Sequence, residues 1–210
     1  MAVLGPDRGC AVAVRALTAV MTVRATDTAA HQGCVAWLAR EMGRRLGFAP
    51  DRLEGLRVMG LLHDLGKLCV PAGLLYKPGR LSAAEYVLVQ DHVPLGVRMI
   101  RDLPFPWPVA RAVGQHHERL NGSGYPQGLQ GQAILPEARI LAVADVVAAL
   151  AAPRPYRPAL RIAAALAEIT GQQGVLYDPE AVEVCVSLLR GIAEKSGFTY
   201  NNLTKKEEYR

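Results

Sequence analysis

The chain has 210 residues and a mass of 22.6 kDa, enough for one sizeable core. Half of its residues are apolar and a fifth are charged, which excludes a disordered or fibrous chain. The net charge of +5 comes with arginines scattered at Arg40, Arg44, Arg45, Arg154, Arg157 and Arg161, a spread unlike a polymeric nucleic-acid arm. It suits either a small anionic partner or plain solvated helix faces. Cys10, Cys34, Cys69 and Cys185 form no C-x-x-C pair and sit among apolar neighbours, so they read as buried reduced thiols of a cytoplasmic protein.

In chain order, the first apolar stretch, Ala11 to Val23, is interrupted by Arg15 and has no clear cleavage site. It reads as an amphipathic helix rather than a membrane span or leader, so no membrane is expected as a partner. Further helices are expected from near Thr28, Asp51, Ser82, Trp107, Pro136, Pro158 and Pro179, with Ser82-Ala-Ala-Glu85 as a capping box. Strand signals are scarce, so the fold class is all-α, a bundle of about seven or eight helices. Pro71 to Arg80 and the glycine-rich Asn121 to Leu129 read as loops, of the kind that line sites. Residues 1–198 are expected to form one domain and 199–210 a polar C-terminal tail.

The chain has five histidines, and helical spacing tells which way they point. His31 precedes Val35, Leu38 and Met42 on one stripe; His63 follows Leu56 and Met59. His92 lies between Val89 and Gly96 on a stripe reaching Met99, and His116 follows Val109 and Val113. Asp145 lies four residues after Leu141 inside the apolar run Ile140 to Leu150, where an unpaired carboxylate is costly and calls for a cation. A lone inward histidine is usually a hydrogen-bonded core residue. Inward histidines gathered with inward aspartates are better satisfied together, by a shared metal site.

The sharpest local signal is His63-Asp64-Leu-Gly-Lys67, which sets an imidazole and a carboxylate side by side at a helix end. The two oxygens of Asp64 suit it to bridge two ions, and Lys67, one turn on, can reach a phosphate oxygen as a point charge. A nitrogen-rich set without thiolate suits iron, manganese or zinc alike.

At these residues the chain resembles the HD superfamily of metal phosphohydrolases, and its second half resembles the HD-GYP subfamily. The motifs run in order through His63-Asp64-Leu-Gly-Lys67, Lys77-Pro-Gly-Arg-Leu81, His116-His117-Glu118, Gly122-Ser-Gly-Tyr-Pro126, Ala138-Arg-Ile-Leu-Ala-Val-Ala-Asp145 and Arg154-Pro-Tyr-Arg157. The resemblance implies a helical HD-GYP-type domain with two iron or manganese ions, sometimes three. It also implies hydrolysis of cyclic di-GMP to pGpG or onward to GMP by a hydroxide bridging the metals. By position, His31, His63, Asp64 and Asp145 look like the ligands of one metal, and Asp64, His92, His116 and His117 those of the other. Asp27 matches a ligand position of trinuclear members, although a solvent-facing aspartate at a helix start is the plainer reading. Asp64 and Lys67 take the catalytic roles, and Tyr125, Arg154 and Arg157 match substrate-lining positions.

Two departures bear on substrate choice: Asn121 stands where the family usually has aspartate, and Ala148 where it often has a second one. They leave open an HD phosphohydrolase acting on another nucleotide. A catalytically weak module that binds cyclic di-GMP, or docks to a diguanylate cyclase or other signalling protein, is the further alternative. No receiver, PAS-like or membrane sensor segment is legible, which leaves regulation to partners.

Overall fold

In a computed structural model of the chain, residues 6–24, 26–152 and 162–196 are described. Ten α-helices occupy them: α1 (Pro6–Arg24), α2 (Thr26–Arg45), α3 (Pro50–Leu62), α4 (Ala72–Leu75), α5 (Ala83–Gln90), α6 (His92–Ile100), α7 (Val109–Val113), α8 (Pro136–Ala151), α9 (Ile162–Gly171) and α10 (Pro179–Ser196). Two 3-10 turns, Leu65–Cys69 and Gly131–Ala133, complete the set. No β-strand occurs among the described residues, so the all-α expectation holds.

Local chemistry sets the helix starts. Pro50 and Pro136 open α3 and α8, where a missing N–H costs nothing. The expected capping box is present at α5: the Ser82 hydroxyl accepts from the Glu85 N–H, and the Glu85 carboxylate accepts from the Ser82 N–H. Asp178 caps α10 by accepting from the Ala181 N–H while its other oxygen accepts from Arg139 of α8 at 2.6 Å.

The core lies where α2 meets α3, α8 and α10, through Val35, Leu38, Met42, Leu56, Met59, Leu62, Leu141, Val147 and Leu189. α8 is buried on nearly every face, from Ala138 to Ala151. A helix enclosed in this way carries Asp145 into the interior.

Several expectations are corrected. The Pro71–Arg80 segment holds the one-turn helix α4, and α1 starts at Pro6 rather than near Ala11. The stripe read from Val89 through His92 to Met99 spans two helices, which part at Asp91, where Pro94 has no N–H to donate back to Gln90. Cys69 is exposed, at the end of a 3-10 turn whose buried side is taken by Leu65 and Gly66, whereas Cys10, Cys34 and Cys185 are buried. The start expected near Pro158 and the tail 199–210 lie outside the described residues. No helix among the described residues is long and apolar enough to cross a membrane.

Candidate metal centre

Five separate pieces of chain converge on one point. His31 comes from α2, His63 and Asp64 from the end of α3, His92 from the first position of α6, His116 and His117 from the turn after α7, and Asp145 from the middle of α8. Their ligand atoms fall into two groups, His31–His63–Asp145 and Asp64–His92–His116–His117, each within 4.8 Å. Asp64 faces both. Its Oδ1 is 3.4 Å from His92 Nε2, while Oδ2 is 3.3 Å from His63 Nε2 and 3.8 Å from His31 Nε2. Asp145 Oδ1 lies 2.9 Å from His31 Nε2 and 3.7 Å from His63 Nε2.

Three of the imidazoles are anchored in the same way. Nδ1 of His63, His92 and His116 lies 2.8, 2.7 and 2.6 Å from the carbonyl oxygen three residues earlier, at Gly60, Val89 and Val113. A carbonyl only accepts, so each Nδ1 carries the proton and each Nε2 presents its lone pair to the cluster. Those three Nε2 atoms, with Asp64 Oδ1, are buried and have no hydrogen-bond partner among the described residues. Buried polar atoms left unsatisfied together at one point are the signature of an ion site. The residues present therefore fit a group of divalent metal ions.

Electrostatics supports the same arrangement. Burial pushes the pKa of His31, His92, His116 and His117 down, His117 to about 3, which keeps these imidazoles neutral and able to ligate. Burial also opposes charge on His63, but the neighbouring Asp64 and Asp145 carboxylates, 3.3 and 3.7 Å from Nε2, outweigh it and lift the group to about 10, so a cation binding at Nε2 would displace that proton. For Asp64, burial is outweighed by His63 and Lys67; for Asp145, by His31 and His63. Both carboxyls are held well below the usual carboxylate range.

Around this cluster the backbone is held by contacts that spacing along the chain does not reveal. A Cβ on Gly66 would fall on the His92 carbonyl oxygen, so only glycine lets the turn after Asp64 lie against α6. Buried Glu118 accepts from the N–H groups of Gln127 and Leu129 at 2.8 and 3.0 Å, clamping the Asn121–Leu129 loop. The loop lays Tyr125 on His117, ring centroids 4.7 Å apart and planes 23° apart. Asn121 keeps the turn its side chain predicts, accepting from the Ser123 N–H and hydroxyl.

Lys67 lies at the mouth, its Nζ 2.6 Å from Asp64 Oδ2. His117 is half-buried, and Ala148 is fully buried in the core. Arg154 and Arg157 lie outside the described residues, as does the side chain of Asp27.

The fold and the cluster together define a helical protein with two buried His/Asp groups that could hold metal ions. The chain belongs to the HD domain family, whose pattern matches residues 14–181. It is 37% identical over 180 residues to the cyclic di-GMP phosphodiesterase response regulator RpfG of Xanthomonas campestris pv. campestris, covering 85% of this chain and 47% of that protein. It is 39% identical over 143 residues to 3'3'-cGAMP-specific phosphodiesterase 1 of Vibrio cholerae serotype O1, covering 68% of this chain and 33% of that one. The solved structure of Bd1817, an HDG"Y"P protein from Bdellovibrio bacteriovorus, superposes with a TM-score of 0.66 at 25% identity, covering 84% of this chain and 57% of that one. The chain thus spans about half or less of the length of these curated relatives.

Proposed function

We propose that this chain is a metal-dependent phosphodiesterase that hydrolyses a cyclic dinucleotide, cyclic di-GMP first, to the linear dinucleotide or onward to the mononucleotide. The observation that carries this reading is the set of orphaned Nε2 atoms of His63, His92 and His116 gathered around Asp64. The names of the relatives support the substrate class.

In this reading His31, His63, Asp64 and Asp145 hold one ion, and Asp64, His92, His116 and His117 hold the other. Asp27 is the side chain nearest in sequence for a third. Iron or manganese is the proposed metal: the donor set alone suits zinc equally, and the HD-GYP resemblance favours the other two. Bound ions supply Lewis acidity, activating water near neutral pH and offsetting negative charge on the phosphate.

The chain's own residues do the rest. The Gly60, Val89 and Val113 carbonyls fix three imidazoles in the ligating tautomer, so little reorganisation is needed on loading. Lys67 holds its ammonium against Asp64 Oδ2 and turns from there to a phosphate oxygen, adding positive charge where negative charge grows. Tyr125 offers a ring at the rim, and Arg154 and Arg157 are proposed as phosphate or guanine contacts. Burying three of the four cysteines as thiols is consistent with a reducing, cytoplasmic setting.

A nucleotide panel tests the proposal. Protein loaded anaerobically with iron or manganese is incubated with cyclic di-GMP, 3'3'-cGAMP, a linear dinucleotide and mononucleotides, and products are followed by chromatography. Turnover of a cyclic dinucleotide with mononucleotides left intact is expected. Turnover of monophosphates alone contradicts the proposal.

A further inference from the structure

Tyr86 is a large aromatic side chain that neither the core nor the cluster accounts for. It follows Glu85 at the start of α5 and is 48% exposed, so burial does not explain its place. Its backbone is nonetheless fixed: the Tyr86 N–H donates to the Ser82 carbonyl, the capping box closes the turn before it, and Lys77 Nζ lies 2.7 Å from both Glu85 oxygens. An isolated exposed aromatic needs no explanation, but this one has a neighbour. Its ring meets that of Tyr125 edge to face, centroids 6.3 Å apart and planes 80° apart. Tyr125 in turn stacks on His117, a member of the metal cluster. His117, Tyr125 and Tyr86 thus form a row of rings that runs from the His/Asp cluster to an exposed side chain.

We propose that Tyr86 is a specificity-determining residue that stacks on a purine base of the dinucleotide, at the outer end of the row His117–Tyr125–Tyr86. The inference rests on the proposed function and extends it to a residue that the motifs do not single out. In a cyclic dinucleotide each base is one sugar away from a phosphate. A phosphate at the cluster therefore brings a base to the rim, where Tyr125 and Tyr86 present rings perpendicular to each other. One ring can lie flat on the base while the other meets its edge, an arrangement that discriminates a nucleotide from a bare phosphodiester.

The test compares the full chain with Tyr86→Ala and Tyr86→Trp, each loaded with metal, on cyclic di-GMP and on methyl 4-nitrophenyl phosphate, a diester without a base. Tyr86→Ala is expected to raise KM for cyclic di-GMP about tenfold, with kcat and turnover of the small diester within about twofold of the parent. Tyr86→Trp is expected to restore KM. The dissociation constant of a phosphorothioate analogue of cyclic di-GMP, measured by calorimetry, should rise by the same factor in Tyr86→Ala. An unchanged dissociation constant overturns the inference, and so does an equal loss on both substrates, which marks a merely structural role. Failure of the functional reading looks different: the parent protein binds the analogue, weakens with Tyr86→Ala, and still hydrolyses no dinucleotide. A parent protein that binds no dinucleotide overturns both.

Discussion

Glu118 shows how a single side chain outside the cluster governs its rim. Its two carboxylate oxygens each accept one backbone N–H, from Gln127 and Leu129, in a buried position next to His117. A carboxamide of the same shape offers one acceptor and one donor, so Glu118→Gln sets an N–H against an N–H. A buried unsatisfied donor costs about 1–3 kcal/mol. We therefore expect Glu118→Gln to lower the urea midpoint by that equivalent and to raise KM, because the loop it clamps carries Tyr125. An unchanged midpoint and KM would show that the loop holds itself.

At the scale of elements, the junction between the turn after Asp64 and the first turn of α6 sets Asp64 against His92 in one ligand group. Gly66 allows it, since a methyl group there would meet the His92 carbonyl oxygen and the backbone of α6. Gly66→Ala should push Asp64 and His92 apart and weaken metal binding about 10–100-fold, the range for residues that position ligands. Competition against a fluorescent chelator measures this, and affinity within twofold of the parent would contradict it.

The same scale separates what the sequence made legible from what it did not. The inward direction of His31 and His63 follows from 3.6-residue spacing against Val35, Leu38 and Met59, residues that are buried to within 1% exposure. That argument needs a continuing helix. It gives no purchase on His117, which sits half-buried in a turn after α7, or on Cys69, which leaves a 3-10 turn on the solvent side. The hold of Glu118 on residues 127 and 129, and the contact of Tyr86 with Tyr125, are long-range pairings that no local period encodes. The Asp91 break was encoded in Pro94, yet the apolar stripe running past it suggested a single helix.

Over the whole molecule, the cluster makes stability depend on pH and on metal together. His31, His92, His116 and His117 have depressed pKa values in the fold, so their contribution is present above their unfolded value of about 6.5. It is lost as pH falls through the depressed values, about 3 for His117. His63, lifted to about 10, acts in the opposite sense: its contribution is complete below about 6.5 and fades as pH rises through 10. Between pH 7 and 5 four groups outweigh one, because the unfolded chain binds the additional protons. Chelated protein should therefore lose stability steadily from pH 7 to pH 5, as read by urea midpoints. Metal at 100 times its dissociation constant should restore about 2.7 kcal/mol at pH 7. A chelated protein as stable at pH 5 as at pH 7 would contradict this balance.

The most direct test of the central claim pairs metal content with turnover in the parent protein and in Asp64→Ala, purified side by side without oxygen. Among the described residues, Asp64 presents one carboxylate oxygen towards His63 of one ligand group and the other towards His92 of the second. The account predicts two ions per chain and hydrolysis of cyclic di-GMP in the parent, with turnover abolished and bound metal lost in Asp64→Ala. Hydrolysis that proceeds undiminished in Asp64→Ala would contradict it.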